Sequence, residues 1–329
     1  MTRIARMKVA RIEIAGQQRH GGEPFPLVLD CETPDVDRPT LRQWLQVRRE
    51  DMLDAASAHG AILFRGFPLA TAEDFDYFVA ALDLPNFPYE ESLSNAVRVV
   101  KTPRVFTANE APPSVTIFLH HEMAQTPIYP SRLFFFCEQP AAEGGATPLC
   151  RSDVLWERLS QQQPAFAADC EAKGLKYSNV MPAENDAASG MGRSWQSTLR
   201  ATSREQAESR LCGLNYSWEW LDGGNLRATT PVLPAVRKLA DGRKSFFNQL
   251  IAAFSGWKDA RNDPARAITF GDGTPLDREA VNTALALGEE LSFDVPWQRG
   301  DVALVDNLVT MHGRRTFCGT RKVLASLIA

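Results

Sequence analysis

The sequence predicts a mainly β chain with flanking helices, an α+β protein built on a double-stranded β-helix, or jelly roll, carrying a long mixed insertion. Short apolar segments bounded by Gly, Pro or Asn recur before residue 139 and again after residue 266. The stretch between them, 171–266, is richer in helix formers and polar residues, so the two groups of strands must meet across it. No Gly-x-Gly-x-x-Gly follows the first strand and no phosphate-loop glycine pattern occurs, so a doubly wound nucleotide-binding sheet has no support. No repeat or low-complexity linker divides the chain, and residues 1–329 read as one domain with 171–266 as a lid-like insertion within it.

In chain order, Thr40 to His59 reads as a helix with Leu41, Trp44 and Leu45 on one face and Gly60 as its stop. Ala61 to Phe64 is a short strand closed by Gly66. Thr71 is placed to cap a second helix, with Asp74 in its first turn and Phe75, Phe78, Val79 and Leu82 at helical spacing. Strands are expected at Ser114–His121, Ser131–Glu138, Ala267–Phe270, Asp301–Val305 and Lys322–Ile328, with Asp272-Gly273 as a hairpin turn. Arg204–Leu211 and Val236–Leu239 are the helical segments expected inside the insertion.

Composition excludes several classes of function. Of 329 residues, 44% are hydrophobic and 23% charged, which fits a packed core and neither disorder nor a coiled coil. The 36 Lys and Arg against 40 Asp and Glu give a net charge of −4, without the basic field that nucleic acid selects. The longest unbroken apolar run, Tyr77–Leu82, is far below the ~20 residues of a membrane span. Charges interrupt the basic N-terminal segment before an apolar secretory core forms, and a cytoplasmic location is expected. Cys31, Cys137, Cys150, Cys170, Cys212 and Cys318 are scattered with no Cys-x-x-Cys, and read as small buried hydrophobes rather than a disulfide framework.

The chemistry points to three of the five histidines. In Thr116-Ile-Phe-Leu-His120-His121-Glu122-Met123 an apolar strand runs into an imidazole and a carboxylate two residues apart, which a strand of period two places on one face, with His121 on the other. His312 follows a distant strand and precedes Gly313. Two imidazoles and one carboxylate leave three positions of an octahedral ion open, the arrangement of non-haem Fe(II) oxygenases. Spacing alone is equally compatible with hydrogen-bonded surface groups.

The wider sequence narrows this choice. Gly60-Ala-Ile-Leu-Phe-Arg-Gly-Phe67, His120-His-Glu-Met123, Gly144-Gly-Ala-Thr147-Pro148, Trp218 to Gly223, Phe247-Asn-Gln249, Gly271-Asp-Gly273, and Asp306-Asn307 followed by His312-Gly-Arg-Arg315 occur in one order across Ala61–Ala329. In these pieces the chain resembles the taurine dioxygenase/clavaminate synthase-like family of Fe(II)- and 2-oxoglutarate-dependent oxygenases. Its details are most similar to the hydroxylases of amino-acid and nonribosomal-peptide tailoring, such as the syringomycin-pathway aspartate hydroxylase. The resemblance implies that His120, Glu122 and His312 hold Fe(II), that Thr147 and Arg321 hold the distal carboxylate of the co-substrate 2-oxoglutarate, and that O2 is the oxidant. A permanently charged planar donor plus a hydroxyl suits such a carboxylate, although a slip of one residue would move the anchor to Lys322. The implied activity is hydroxylation of an unactivated C–H bond on an amino acid or aminoacyl group, free or tethered to a carrier protein, in secondary metabolism such as antibiotic biosynthesis. Desaturation, epoxidation or a non-catalytic binding jelly roll are the rivals. Glu122 stands where many relatives have Asp, and Leu233-Pro-Ala-Val-Arg237 replaces a common His-Pro pair. His121 is expected to face solvent or to support the site from behind, or to serve as an alternative ligand if the strand is bulged, Arg314 and Arg315 to hold a carboxylate or pair at the surface, and Trp218 and Trp220 to line the substrate or the core. Ser92, Ser94, Asn95, Asn109 and Glu110 are loop candidates for substrate contact.

Overall fold

The computed structural model describes residues 7–33 and 35–329. Its centre is a pair of facing sheets. The larger has seven strands in the order Val9–Ile12, Leu27–Cys31, Ala61–Arg65, Val302–Asp306, Arg132–Gln139, Lys322–Ile328 and Phe106–Thr107. The smaller has four, Ser292–Val295, Thr147–Arg151, Thr310–Arg314 and Ile117–His120. N-terminal and C-terminal strands therefore interleave in both sheets, as the jelly-roll expectation requires.

Alternation along each strand decides what the sheets bury. Leu63, Phe135, Ala303, Val305, Val323 and Ala325 point inward and pack against Leu149, Phe293 and Val295 of the smaller sheet. Ile62, Phe64, Phe134, Phe136, Val302 and Leu304 point the other way, beneath helices Arg38–Val47, Arg49–His59 and Ala72–Ala81. Phe64, Phe67 and Phe78 meet edge-on there, with ring centroids 5.3–5.9 Å apart. Behind the smaller sheet, Cys150 and Met311 pack against helices Ser152–Gln162, Leu250–Gly256 and Arg278–Glu290.

Several expectations need correction. The helix expected over Thr40–His59 is two helices that meet at Arg48, whose φ of −102° and ψ of 10° are not helical. The Thr71 cap is present as a reciprocal box, with Thr71 Oγ1 accepting from the Asp74 N–H and the Asp74 carboxylate accepting from the Thr71 N–H. Arg204–Gly213 is helical, but Val236–Leu239 is not: Arg237–Lys238 is a strand paired with Lys244–Ser245. The Asp272-Gly273 turn closes on Phe270 but leads into helix Arg278–Glu290 rather than a second strand. In the insertion, Ser217–Trp220, Leu226–Thr229 and Leu175–Met181 form a sheet that Ile268–Phe270 completes. Among the described residues, no helix is long and apolar enough to cross a membrane.

Candidate active site

Strand pairing brings distant histidines together. His312, on Thr310–Arg314, lies directly opposite His120, on Ile117–His120, and their rings are 4.3 Å apart. Such an antiparallel partnership places two side chains on one face within reach of a common point. Gly313 permits it, because a Cβ there would sit 2.5 Å from the Ile117 carbonyl oxygen.

Glu122 arrives by a different route from the one expected. The strand ends at His120, and the chain turns through Met123 at a φ of 58°. Asn307 fixes this turn: its Oδ1 accepts from the Glu122 N–H at 2.8 Å, and its Nδ2 donates to the Glu122 and Pro130 carbonyls at 3.0 and 2.7 Å. Asn307 is set in place by the crossover between strands Val302–Asp306 and Thr310–Arg314, where Asp306 accepts from Ser57 and from the Leu308 N–H. Gln249 adds a hydrogen bond to the His121 carbonyl at 3.0 Å. The turn carries His121 inward, so that residue is fully buried and not solvent-facing; its Nδ1 donates to the Asn307 carbonyl and its ring packs on Phe247.

The donor set suits a metal ion. Ligand atoms of His120, Glu122 and His312 all lie within 4.8 Å of one another. The Nδ1–H of His120 donates to the Phe118 carbonyl at 2.8 Å, which leaves Nε2 with its lone pair free. Burial, with the neighbouring His312, pushes the His120 pKa down to about 4. Burial would raise the pKa of Glu122, but Arg98 and the two imidazoles outweigh it and hold the carboxyl well below its usual range. A neutral imidazole at His120 and a carboxylate at Glu122 are the forms a metal binds, so neither of these two has a proton to lose first. This nitrogen and oxygen set, with one face left open, fits Fe(II).

A second cluster lies in the same cavity, which has a volume of about 310 Å³. Arg321 donates from Nε to the Gly145 carbonyl at 2.7 Å and from Nη2 to Thr147 Oγ1 at 3.1 Å. Thr147 Oγ1 also accepts from Trp297 Nε1 at 3.0 Å. Gly145, at a φ of 70°, lets Arg321 pass, since a Cβ there would lie 3.0 Å from Arg321 Cδ. Burial and the nearby Arg314 lower the Arg321 pKa to about 10, which leaves the guanidinium charged at neutral pH. Among the described residues, no acidic side chain pairs with it. Lys322 points outward, 56% exposed and 3.9 Å from Glu138.

The other candidates separate. Arg314 spends its guanidinium on the backbone carbonyls of Asn109, Ala111, Pro112 and Val115, and Arg315 pairs with Asp294 and Glu289 near the surface. Trp218 and Trp220 pack in the core of the insertion, away from the cavity. Ser94, Asn95 and Asn109 line the cavity; Ser92 and Glu110 do not. Sequence reasoning missed Arg98, whose Nη2 lies 3.0 and 3.1 Å from the two Glu122 oxygens. A lone cation inside the apolar run Ala96-Val-Arg98-Val-Val100 was the available signal. It also left Asn307 without a role.

Comparison with known proteins places this geometry. Residues 23–327 match the taurine catabolism dioxygenase TauD, TfdA family. The chain is 38% identical over 330 residues to a clavaminate synthase-like protein of Arabidopsis thaliana, covering 98% of this chain and 99% of that protein. It is 27% identical over 288 residues to the dapdiamide synthesis protein DdaC of Enterobacter agglomerans, covering 83% of each. Among solved structures, PvcB of Pseudomonas aeruginosa superposes with a TM-score of 0.53 at 15% identity, over 98% of this chain and 91% of that one. A taurine dioxygenase from Burkholderia xenovorans gives 0.53 at 14% identity, over 98% and 90%. These two similarities bear on the fold.

Proposed function

The chain belongs to the TauD/TfdA family and is a 2-oxoglutarate-dependent dioxygenase that works with Fe(II) and O2, and from that premise we propose that it hydroxylates an unactivated C–H bond of an amino acid or aminoacyl group. The observation that carries the site assignment is one cavity lined both by His120, Glu122 and His312 and by Thr147 and Arg321, whose guanidinium has no acidic partner among the described residues. His120, Glu122 and His312 are the metal ligands in this reading. Fe(II), when bound, supplies the redox chemistry, in which oxidative decarboxylation of 2-oxoglutarate to succinate is coupled to transfer of an oxygen atom to the substrate.

The protein's own residues bind, orient and exclude water. Arg321 and the Thr147 hydroxyl take the distal carboxylate of 2-oxoglutarate, with Phe317 against the guanidinium face at 5.9 Å. Val323 and Phe135 line the same cavity, Phe135 with its ring 5.1 Å from that of His312, and this apolar lining strengthens the ion pair. In the insertion's part of the lining, Arg261 pairs with Asp186 and Asp259 at 2.9 and 2.7 Å, and Lys258 lines the same cavity. Charges of both signs there suit a substrate that carries both amino and carboxylate groups. The dapdiamide synthesis protein among the relatives favours an amino-acid-derived substrate as well. Residues 171–266 and the loop 90–114 act as the lid, and one catalytic domain spans the chain. Six unpaired cysteines suit a reducing compartment such as the cytoplasm.

The test is product analysis by mass spectrometry with Fe(II), 2-oxoglutarate and O2, comparing free amino acids with the same residues loaded on a carrier protein. Substrate-dependent succinate formation with gain of one oxygen atom on a saturated carbon supports the reading. Loss of two hydrogens, or oxygen added across a double bond, would assign desaturation or epoxidation instead.

A further inference from the structure

We propose that Arg98 is a positioning residue for the metal-binding carboxylate, and that the insertion sets it in place through Tyr89 and Arg193. This inference rests on the ligand assignment above. Arg98 comes from the loop before the first ligand strand, and its side chain is only 7% exposed, against 4% for Glu122. One nitrogen, Nη2, straddles both carboxylate oxygens, while His312 Nε2 lies 3.4 Å from Oε2 on the other side. Glu122 is thus held between a cation and an imidazole. When one oxygen turns to a metal, Nη2 keeps the other, which fixes the carboxylate plane.

The cation is itself positioned by aromatic rings, its guanidinium carbon 4.9 Å from the Tyr89 ring and 5.3 Å from that of Phe106. Arg193, from the insertion, lies 4.9 Å from the same Tyr89 ring. Its guanidinium donates to the carbonyls of Ser92 at 2.8 Å, Glu90 at 3.2 Å and Ser197 at 3.0 Å. The loop carrying Arg98 is therefore pinned to the insertion by a buried cation, and Tyr89 transmits its position. A pure ion-pair plug for an empty site would need none of this support.

The test uses anaerobic titration with Co(II), read by its ligand-field spectrum, and with Fe(II), read by competition with a chelator. Arg98→Met should weaken binding of both ions by about 10- to 100-fold and shift the Co(II) spectrum. Arg98→Lys should recover part of the affinity by restoring the charge without the planar donor. Arg193→Met, which touches no ligand, should move affinity and spectrum the same way by less. Wild-type affinity and spectrum in Arg98→Met would overturn the proposal, and an unshifted Arg193→Met would overturn the link to the insertion. Glu122→Ala separates the two readings. If it too binds as wild type, the ligand assignment fails; if it loses the ion while Arg98→Met keeps it, only this inference fails. Far-ultraviolet circular dichroism of each variant identifies loss of fold.

Discussion

Arg321→Ala is the most informative single perturbation of the proposed co-substrate pocket. The side chain is partly buried, keeps its charge at neutral pH, and among the described residues is held by two neutral acceptors, the Gly145 carbonyl and Thr147 Oγ1. Its unmatched charge is therefore available to an incoming carboxylate. Removing one partner of a desolvated, hydrogen-bonded ion pair costs about 2–5 kcal/mol. At about 1.4 kcal/mol per tenfold, 2-oxoglutarate should bind roughly 30- to several-thousand-fold more weakly. Thr147→Val removes a neutral hydroxyl, and at about 1–1.5 kcal/mol it should cost about tenfold. Lys322→Ala, at an exposed position, should change affinity less than about twofold. The assay is anaerobic titration of the Fe(II)-loaded protein with 2-oxoglutarate, alongside its apparent constant in succinate formation. A small effect of Arg321→Ala together with a large effect of Lys322→Ala would refute the reasoning, because the anchor would then lie one residue along the strand.

Two further predictions concern the supports of the site. Asn307→Leu keeps the volume but removes three buried hydrogen bonds, two of them to the Glu122 backbone; it should lower unfolding stability by about 3–5 kcal/mol in denaturant titration and weaken metal binding, and a loss under about 1 kcal/mol would show that the turn holds itself. Limited proteolysis should cut near Gly190, which lines the cavity, and near Gly223 and Gly224 in the insertion, with substrate suppressing cleavage in the presence of Fe(II) and 2-oxoglutarate; equal cutting with and without substrate would make both ordinary surface segments.

What the sequence showed about this protein follows from the range of the interactions involved. The Thr71 cap, the short apolar strand Ala61–Phe64 and the strand Lys322–Ile328 depend on neighbours a few residues away, and they were legible. The break at Arg48 was not, because the two helices it joins follow a bend over the larger sheet that no local pattern encodes. Val236–Leu239 has helix-compatible residues, but pairing with Lys244–Ser245 overrides that weak preference. At the site, the convergence of His120, Glu122 and His312 was legible from residue type and motif order, while the way they meet was not. His120 and His312 are cross-strand partners, and Glu122 reaches them through a turn held by a residue 185 positions away. Of the alternatives for His121, the buried supporting imidazole is the one observed and the solvent-facing one is not: pleat alternation stops where the strand stops, and the turn buries the ring against Phe247. Arg98 was missed because an arginine between valines reads as a solvated edge until the fold places a carboxylate and two rings around it.

The central claim is that one Fe(II) is held by His120, Glu122 and His312 and drives turnover of 2-oxoglutarate. Its most direct test is iron stoichiometry after anaerobic reconstitution, measured together with succinate formation, for the wild type and for His120→Ala, Glu122→Ala and His312→Ala. The account predicts one ion per chain and Fe(II)-dependent succinate in the wild type, with both lost in each variant while circular dichroism and the melting transition show an intact fold. Full iron occupancy with normal succinate formation in any one of the three variants would contradict it.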